Sequence, residues 1–351
     1  MKRHLDGQAG FSLPELLVSM GIIIIIVTAA FALMKQSLRM SNTSLEMTDA
    51  QQQLRNAQEQ IRRDLLNTGD QLMGVSDPRV PLTFVTQNIT TNPVNPVGQY
   101  VQIPFVVSDD AALRAFAPTN VLNGTDRITV MSKDIDDPNL IDPWKGTVGG
   151  GGTVITKAST ELRNTSIFNV GEVYFIYSGY GSTFGAITAK TATSLTFGSD
   201  TYGLNRSGNG GTLDFVSVGD RAQGNPAVTV NVIRVKLITF YVDNDMRLIR
   251  RIYGIPGSGM REDVVAEHVK NCEIKYDLSL PNLWQRVDQL DTAERQAAVR
   301  QVQVSFTTET AHNVNGAGAA QTRQEISSTT STGLRNMEFN EALQPTPVPT
   351  P

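Results

Sequence analysis

The sequence predicts an α+β protein, with one long N-terminal transmembrane and amphipathic helix packed on an antiparallel β-rich globular domain. Three observations carry this. Residues 16–34 (LLVSMGIIIIIVTAAFALM) run for nineteen residues without a charge. From Lys35 to Asn67 there is no Gly or Pro, and helix-forming Gln, Glu, Arg, Leu, Met and Ala dominate. Beyond residue 75 the composition turns to Gly, Thr, Ser, Asn and Val, the currency of strands and turns.

The apolar run comes first. At about 1.5 Å per residue it spans roughly 28 Å, the thickness of one bilayer core. Five consecutive isoleucines, Ile22 to Ile26, favour a membrane segment over a buried soluble helix. The run continues into helical sequence instead of ending at a small-residue cleavage site, which sets it apart from an ordinary secretory signal. The first ten residues, MKRHLDGQAG, are polar in character and include Lys2 and Arg3. Lys35 and Arg39 follow the run, so charge bias alone does not orient it.

Past the apolar run, Met47, Ala50, Leu54, Ala57, Ile61 and Leu65 recur three and four residues apart. They form one apolar stripe. Gln51, Gln52, Arg55, Glu59, Arg62 and Arg63 lie on the opposite, solvent-facing side. The stripe is short and contains small alanines, so it suits the protein's own sheet better than a coiled coil. Gly69 is the expected stop. The predicted helix is about 55 residues and roughly 80 Å long.

Residues 75–342 read as short strands. The clearest are 101–107, 127–132, 172–178, 189–197, 228–242, 248–253, 272–278 and 299–309. Asp243-Asn244-Asp245 separates two of these and marks a hairpin. The Gly-rich 147–153 stretch (TVGGGGT) lacks the Gly-Lys-Ser/Thr of a phosphate loop and reads as a turn. A charged segment at 285–301 is expected as a short helix or loop. Residues 343–351 end in QPTPVPTP, a proline-rich extended tail.

Bulk properties exclude several classes. A net charge of −4 and a pI near 5.5 give no basic nucleic-acid surface. Arg247, Arg250 and Arg251 cluster, but no aromatic residues interleave with them for stacking on single strands. One cysteine, Cys272, forms no intrachain disulfide. Three histidines, His4, His268 and His312, are too scattered for a zinc site or a Cys–His nucleophile. No Gly-x-Ser-x-Gly elbow occurs, so no enzyme is expected. Asp134, Asp136 and Asp137 (DIDDPN) are a weak calcium candidate, since the glycine and distal glutamate of an EF-hand loop are missing.

The run Gly10-Phe11-Ser12-Leu13-Pro14-Glu15 resembles the processing site of type IV prepilins and pseudopilins. The resemblance implies cleavage after Gly10 by a prepilin peptidase on the cytoplasmic side, and methylation of the new N-terminal Phe11. It also implies an assembly role for Glu15, through pairing with the N-terminal amine of a neighbouring subunit. A carboxylate beside an apolar span costs about 2.5–3.5 kcal/mol near the bilayer centre, so such pairing has a physical motive. Towards the other end FYVDN, DVVAEHVKNCEIKY, VRQVQVSFTTET and TGLRNM are similar to the layout of PilW-like minor pilins and J-type pseudopilins.

The organisation expected from this resemblance is a leader at 1–10, a helix at 11–68, a β-rich domain at 69–342 and a tail at 343–351. The expected partners are prepilin peptidase, other minor and major pilins, the inner-membrane assembly platform and membrane lipid, with no nucleic acid. The expected location is the bacterial inner membrane with the domain in the periplasm, and then the pilus or pseudopilus. Alternatives of the same build are a minor pseudopilin of type II secretion and a pilus-tip adhesin, whose binding surface would lie within residues 80–225.

Overall fold

The computed structural model describes residues 12–69, 78–90, 93, 96–109, 120–134, 137, 142–149, 151–206, 211–216, 228–257, 259–277, 284–286, 299–310 and 323–334. The leader, the proline-rich tail and most of 285–301 lie outside them. The chain divides into two units, one of Met1–Gln51 with Thr310–Gln324 and one of Gln52–Glu309 with Glu325–Pro351.

Helix α1, Leu13–Leu66, holds 54 residues, matching the predicted length. In the first unit its large apolar side chains from Leu13 to Met40 are exposed, Ile22 to Ile26 each by more than half. In the second unit the stripe meets a core. Leu54, Ala57, Ile61 and Leu65 are buried, whereas Arg55, Arg62 and Arg63 are exposed. Gly69 takes a positive φ of 68°, which glycine adopts without steric cost, and its N–H bonds Met131 O at 3.0 Å.

The strands of the second unit, in chain order, begin with β1 (Arg79–Pro81), after which helix α2 (Leu82–Asn88) intervenes. Then come β2 (Tyr100–Gln102), β3 (Val106–Asp109), β4 (Arg127–Lys133), β5 (Trp144–Val148) and β6 (Val154–Lys157). The pair β7 (Val173–Ser178) and β8 (Gly181–Ala186) precedes β9 (Ala189–Lys190) and β10 (Ser194–Thr196). The last are β11 (Thr229–Val242), β12 (Leu248–Ile255), β13 (Gly259–Ala266), β14 (Val269–Asp277), β15 (Trp284–Arg286), β16 (Gln301–Glu309) and β17 (Glu325–Gly333).

Fourteen-residue β11 organises the larger sheet. Its first half, through Arg234, pairs with β5 and β7, and its second half pairs with β4 and β12. A smaller sheet runs β15-β14-β16-β17. Pairing is antiparallel throughout the described residues except for one parallel contact, Arg79 with Thr183 between β1 and β8. The α1 stripe packs with Val130, Ile238 and Phe240 of the larger sheet and with Ile274, Val302, Val304 and Phe306 of the smaller one. This is the α+β, pilin-like fold that the sequence predicts.

The predicted hairpin forms as Leu237–Val242 against Leu248–Tyr253. Asp243 builds its turn by accepting the N–H groups of Asp245 and Arg247 at 3.0 and 2.8 Å, which lets Met246 sit at φ 59°.

Other expectations need correcting. The single strand at 101–107 is two, because the chain changes partner from β1 to β4 at Pro104, which has no N–H to give a ladder. The strand at 189–197 is a tight hairpin of β9 and β10: Thr191 Oγ1 accepts the N–H groups of Thr193 and Ser194 at 3.3 and 3.0 Å and turns the chain. Part of 285–301 is strand, in β15.

Candidate membrane-anchor and assembly site

Glu15 lies in the first turn of α1. Its Oε2 accepts hydrogen bonds from Ser12 N–H and Ser12 Oγ–H, both at 3.0 Å. Ser12 precedes the first helical residue and Glu15 is the third, so Ser12-x-x-Glu15 has the spacing of a capping box. That signal stands in the sequence, but the processing motif overlies it. Pro14, in the same turn, lacks only an N–H that has no intrahelical acceptor. Gly10 and Phe11 lie outside the described residues.

From Leu13 to Met40 the large apolar side chains are exposed on every side of the helix. A helix apolar all round needs an apolar surrounding, either lipid or other helices. Among the described residues α1 is the one helix long and apolar enough to cross a membrane, judged by length and composition. The positions at 28 and 48 are threonines whose hydroxyls return to the carbonyls of Ile24 and Ser44, so neither leaves a bare polar group on the helix surface.

The other sequence candidates are engaged inside the domain. Asp134 binds Arg234 Nε through Oδ2 at 2.9 Å and Lys236 Nζ through Oδ1 at 2.7 Å. Asp137 Oδ2 accepts the Arg234 N–H at 2.7 Å. Both carboxylates therefore tie the loop after β4 to β11. Asp136 lies outside the described residues, and among those described no cluster of three metal-ligating side chains occurs.

The three clustered arginines face carboxylates. Arg247 pairs with Asp243 at 2.7 Å, Arg250 with Asp64 at 2.7 Å and Arg251 with Glu262 at 2.5 Å. Arg251 also covers the Tyr241 ring, 4.9 Å from its centroid. Cys272 is buried in the core between α1 and the smaller sheet.

A capped, exposed apolar helix followed by an antiparallel β domain defines a pilin-like α+β fold with one candidate membrane span. Residues 5–31 match the family model described as the prokaryotic N-terminal methylation motif. The match spans Gly10, Phe11, Glu15 and most of the apolar run. It supports a type IV pilin-like protein, processed by prepilin peptidase and anchored in the inner membrane, and the family it describes is structural rather than enzymatic. No curated protein and no solved structure matches the chain significantly.

Proposed function

We propose that the chain is a minor type IV pilin of the PilW kind, which helps to initiate or cap pilus assembly. The observation that carries this reading is the continuity of the methylation motif with an apolar helix whose side chains from Leu13 to Met40 are exposed. In this reading residues 1–10 are the leader, 11–68 the pilin helix, 69–342 the β-rich domain in the periplasm and 343–351 a tail. Cleavage after Gly10 frees the Phe11 amine, which is methylated.

Glu15 then performs one task. While the subunit waits in the membrane its carboxylate is satisfied by Ser12. During assembly it exchanges Ser12 for the charged amine of a neighbour, a charge-assisted bond strengthened where water is scarce. That exchange registers each added helix against the last. The work is mechanical, moving an apolar helix from lipid to a packed helical core.

Glu15→Ala tests this. The variant should partition to the membrane like the parent and be lost from the sheared pilus fraction. Incorporation equal to the parent would remove Glu15 from the account.

A further inference from the structure

A strand at the edge of a sheet exposes N–H and C=O groups that can pair with another chain, and proteins normally blunt such edges. The larger sheet does so everywhere among the described residues. β2 and β9 are three and two residues long, and β9 ends on Lys190. Four-residue β3 ends on Asp109. Eight-residue β13 carries Arg261, Glu262 and Asp263 at its middle and has a register shift at each end. In the smaller sheet the outer strand β15 is only three residues long.

β17 is different. Among the described residues it is the other outer strand of that sheet, nine residues long, and pairs with β16 from Gln301↔Gly333 to Glu309↔Glu325 without a register shift. From Ile326 to Thr332 it contains no charge, no proline and no glycine. It is held straight from the inner side, where Gln58 Nε2 of α1 donates to Ser328 Oγ at 2.8 Å and Ile326 packs on the core. On its exposed face Thr329 and Ser327 pair by hydroxyl–hydroxyl hydrogen bonds with Ser305 and Thr307, at 3.0 and 2.9 Å.

We propose that β17 is a docking edge that takes up an extended strand of a neighbouring subunit. The strand it fits is neutral over about seven residues and hydroxyl-rich on one face. Charge decides the first property, because a charged residue opposite Ile326–Thr332 would meet no counter-charge. The ladder of hydroxyl pairs from β16 to β17 decides the second, since a Ser/Thr strand extends it by one rung. Self-pairing of two β17 strands is a poorer fit. Antiparallel pairing creates a two-fold axis through the sheet and reverses the Gln52–Leu66 stretch of α1 lying on it, whereas subunits sharing one membrane keep the same orientation. That the strand comes from a neighbouring subunit rests on the pilin-like reading; the addition of a strand at β17 does not.

The test uses the full chain in detergent micelles and a fluorescent, end-capped peptide, Ser-Thr-Val-Thr-Val-Thr-Ser. The expected result is saturable binding, weakened at least tenfold when alternate peptide nitrogens are methylated. Thr329→Lys on the exposed face should weaken the neutral peptide, and a peptide with a central Glu should recover binding to that variant but not to the parent. No saturable binding, equal binding of the N-methylated peptide, or loss in Thr329→Lys without recovery by the Glu peptide overturns the proposal. A dimer that Thr329→Lys dissociates and the peptide does not displace would assign the edge to a second copy and overturn it too. Binding by a chain that prepilin peptidase leaves uncut would uphold the edge and reject the pilin reading, so the two failures are distinguishable.

Discussion

Asp64 in the last turn of α1 and Arg250 in β12 form a two-pronged ion pair, Nε to Oδ2 at 2.7 Å and Nη2 to Oδ1 at 3.2 Å. Their side chains retain only 11% and 13% of their exposure. A carboxylate there sits at the negative end of the helix dipole and out of water, so it requires a cation. The pair fixes the end of α1 to the larger sheet at one rotation and one depth.

Breaking the pair from one side should therefore be expensive. Asp64→Ala leaves Arg250 with Asp263 alone, at 3.8 Å. A loss of about 3–5 kcal/mol is expected, the usual range for a buried charge that loses its partner. Denaturant unfolding of the chain in micelles measures it. The double replacement Asp64→Leu with Arg250→Met should recover most of that loss, because no charge then remains to be satisfied.

The two ends of α1 should respond oppositely to the same substitution. Ile61 is 1% exposed and Ile24 62%. Ile61→Ala should cost about 2–5 kcal/mol of domain stability as a cavity opens under the sheets. Ile24→Ala should leave the unfolding midpoint unchanged. Ile24→Arg should instead deplete the membrane fraction, since a central arginine costs about 2.5–3.5 kcal/mol on insertion.

Glu161 predicts a pH dependence. The Arg163 guanidinium holds its carboxyl down at about 2, with help from the Lys145 and Arg163 N–H groups and against its own burial. A carboxylate depressed on folding adds stability that is complete above its unfolded pKa, about 4.3. That stability fades as pH falls towards 2. The destabilisation caused by Glu161→Gln, on the order of 2 kcal/mol at pH 6, should shrink steadily as unfolding is measured at lower pH.

How much of this the sequence revealed depended on whether a residue's role followed from hydrophobic pattern. Leu54, Ala57, Ile61 and Leu65 announced their face by spacing, and Asp243 announced its turn. Strand β17 did not. Its inward positions are Ile326, Ser328, Thr330 and Thr332, so no apolar alternation marks it, and its place is set by register with β16. β13 was hidden in the same way by the charges of Arg261–Asp263. Asp64 carries no signal in the sequence, because only the fold brings Arg250, 186 residues away, to it. For the anchor, Glu15 stood out by motif, and that same motif overlay the Ser12-x-x-Glu15 spacing of its cap.

In the pilin reading the chain enters the pilin pathway through its N-terminus. The intact mass of the protein after co-expression with a prepilin peptidase reads out that processing. A chain that begins at N-methylated Phe11 is expected. A chain still beginning at Met1 would contradict it and leave an ordinary single-span membrane protein.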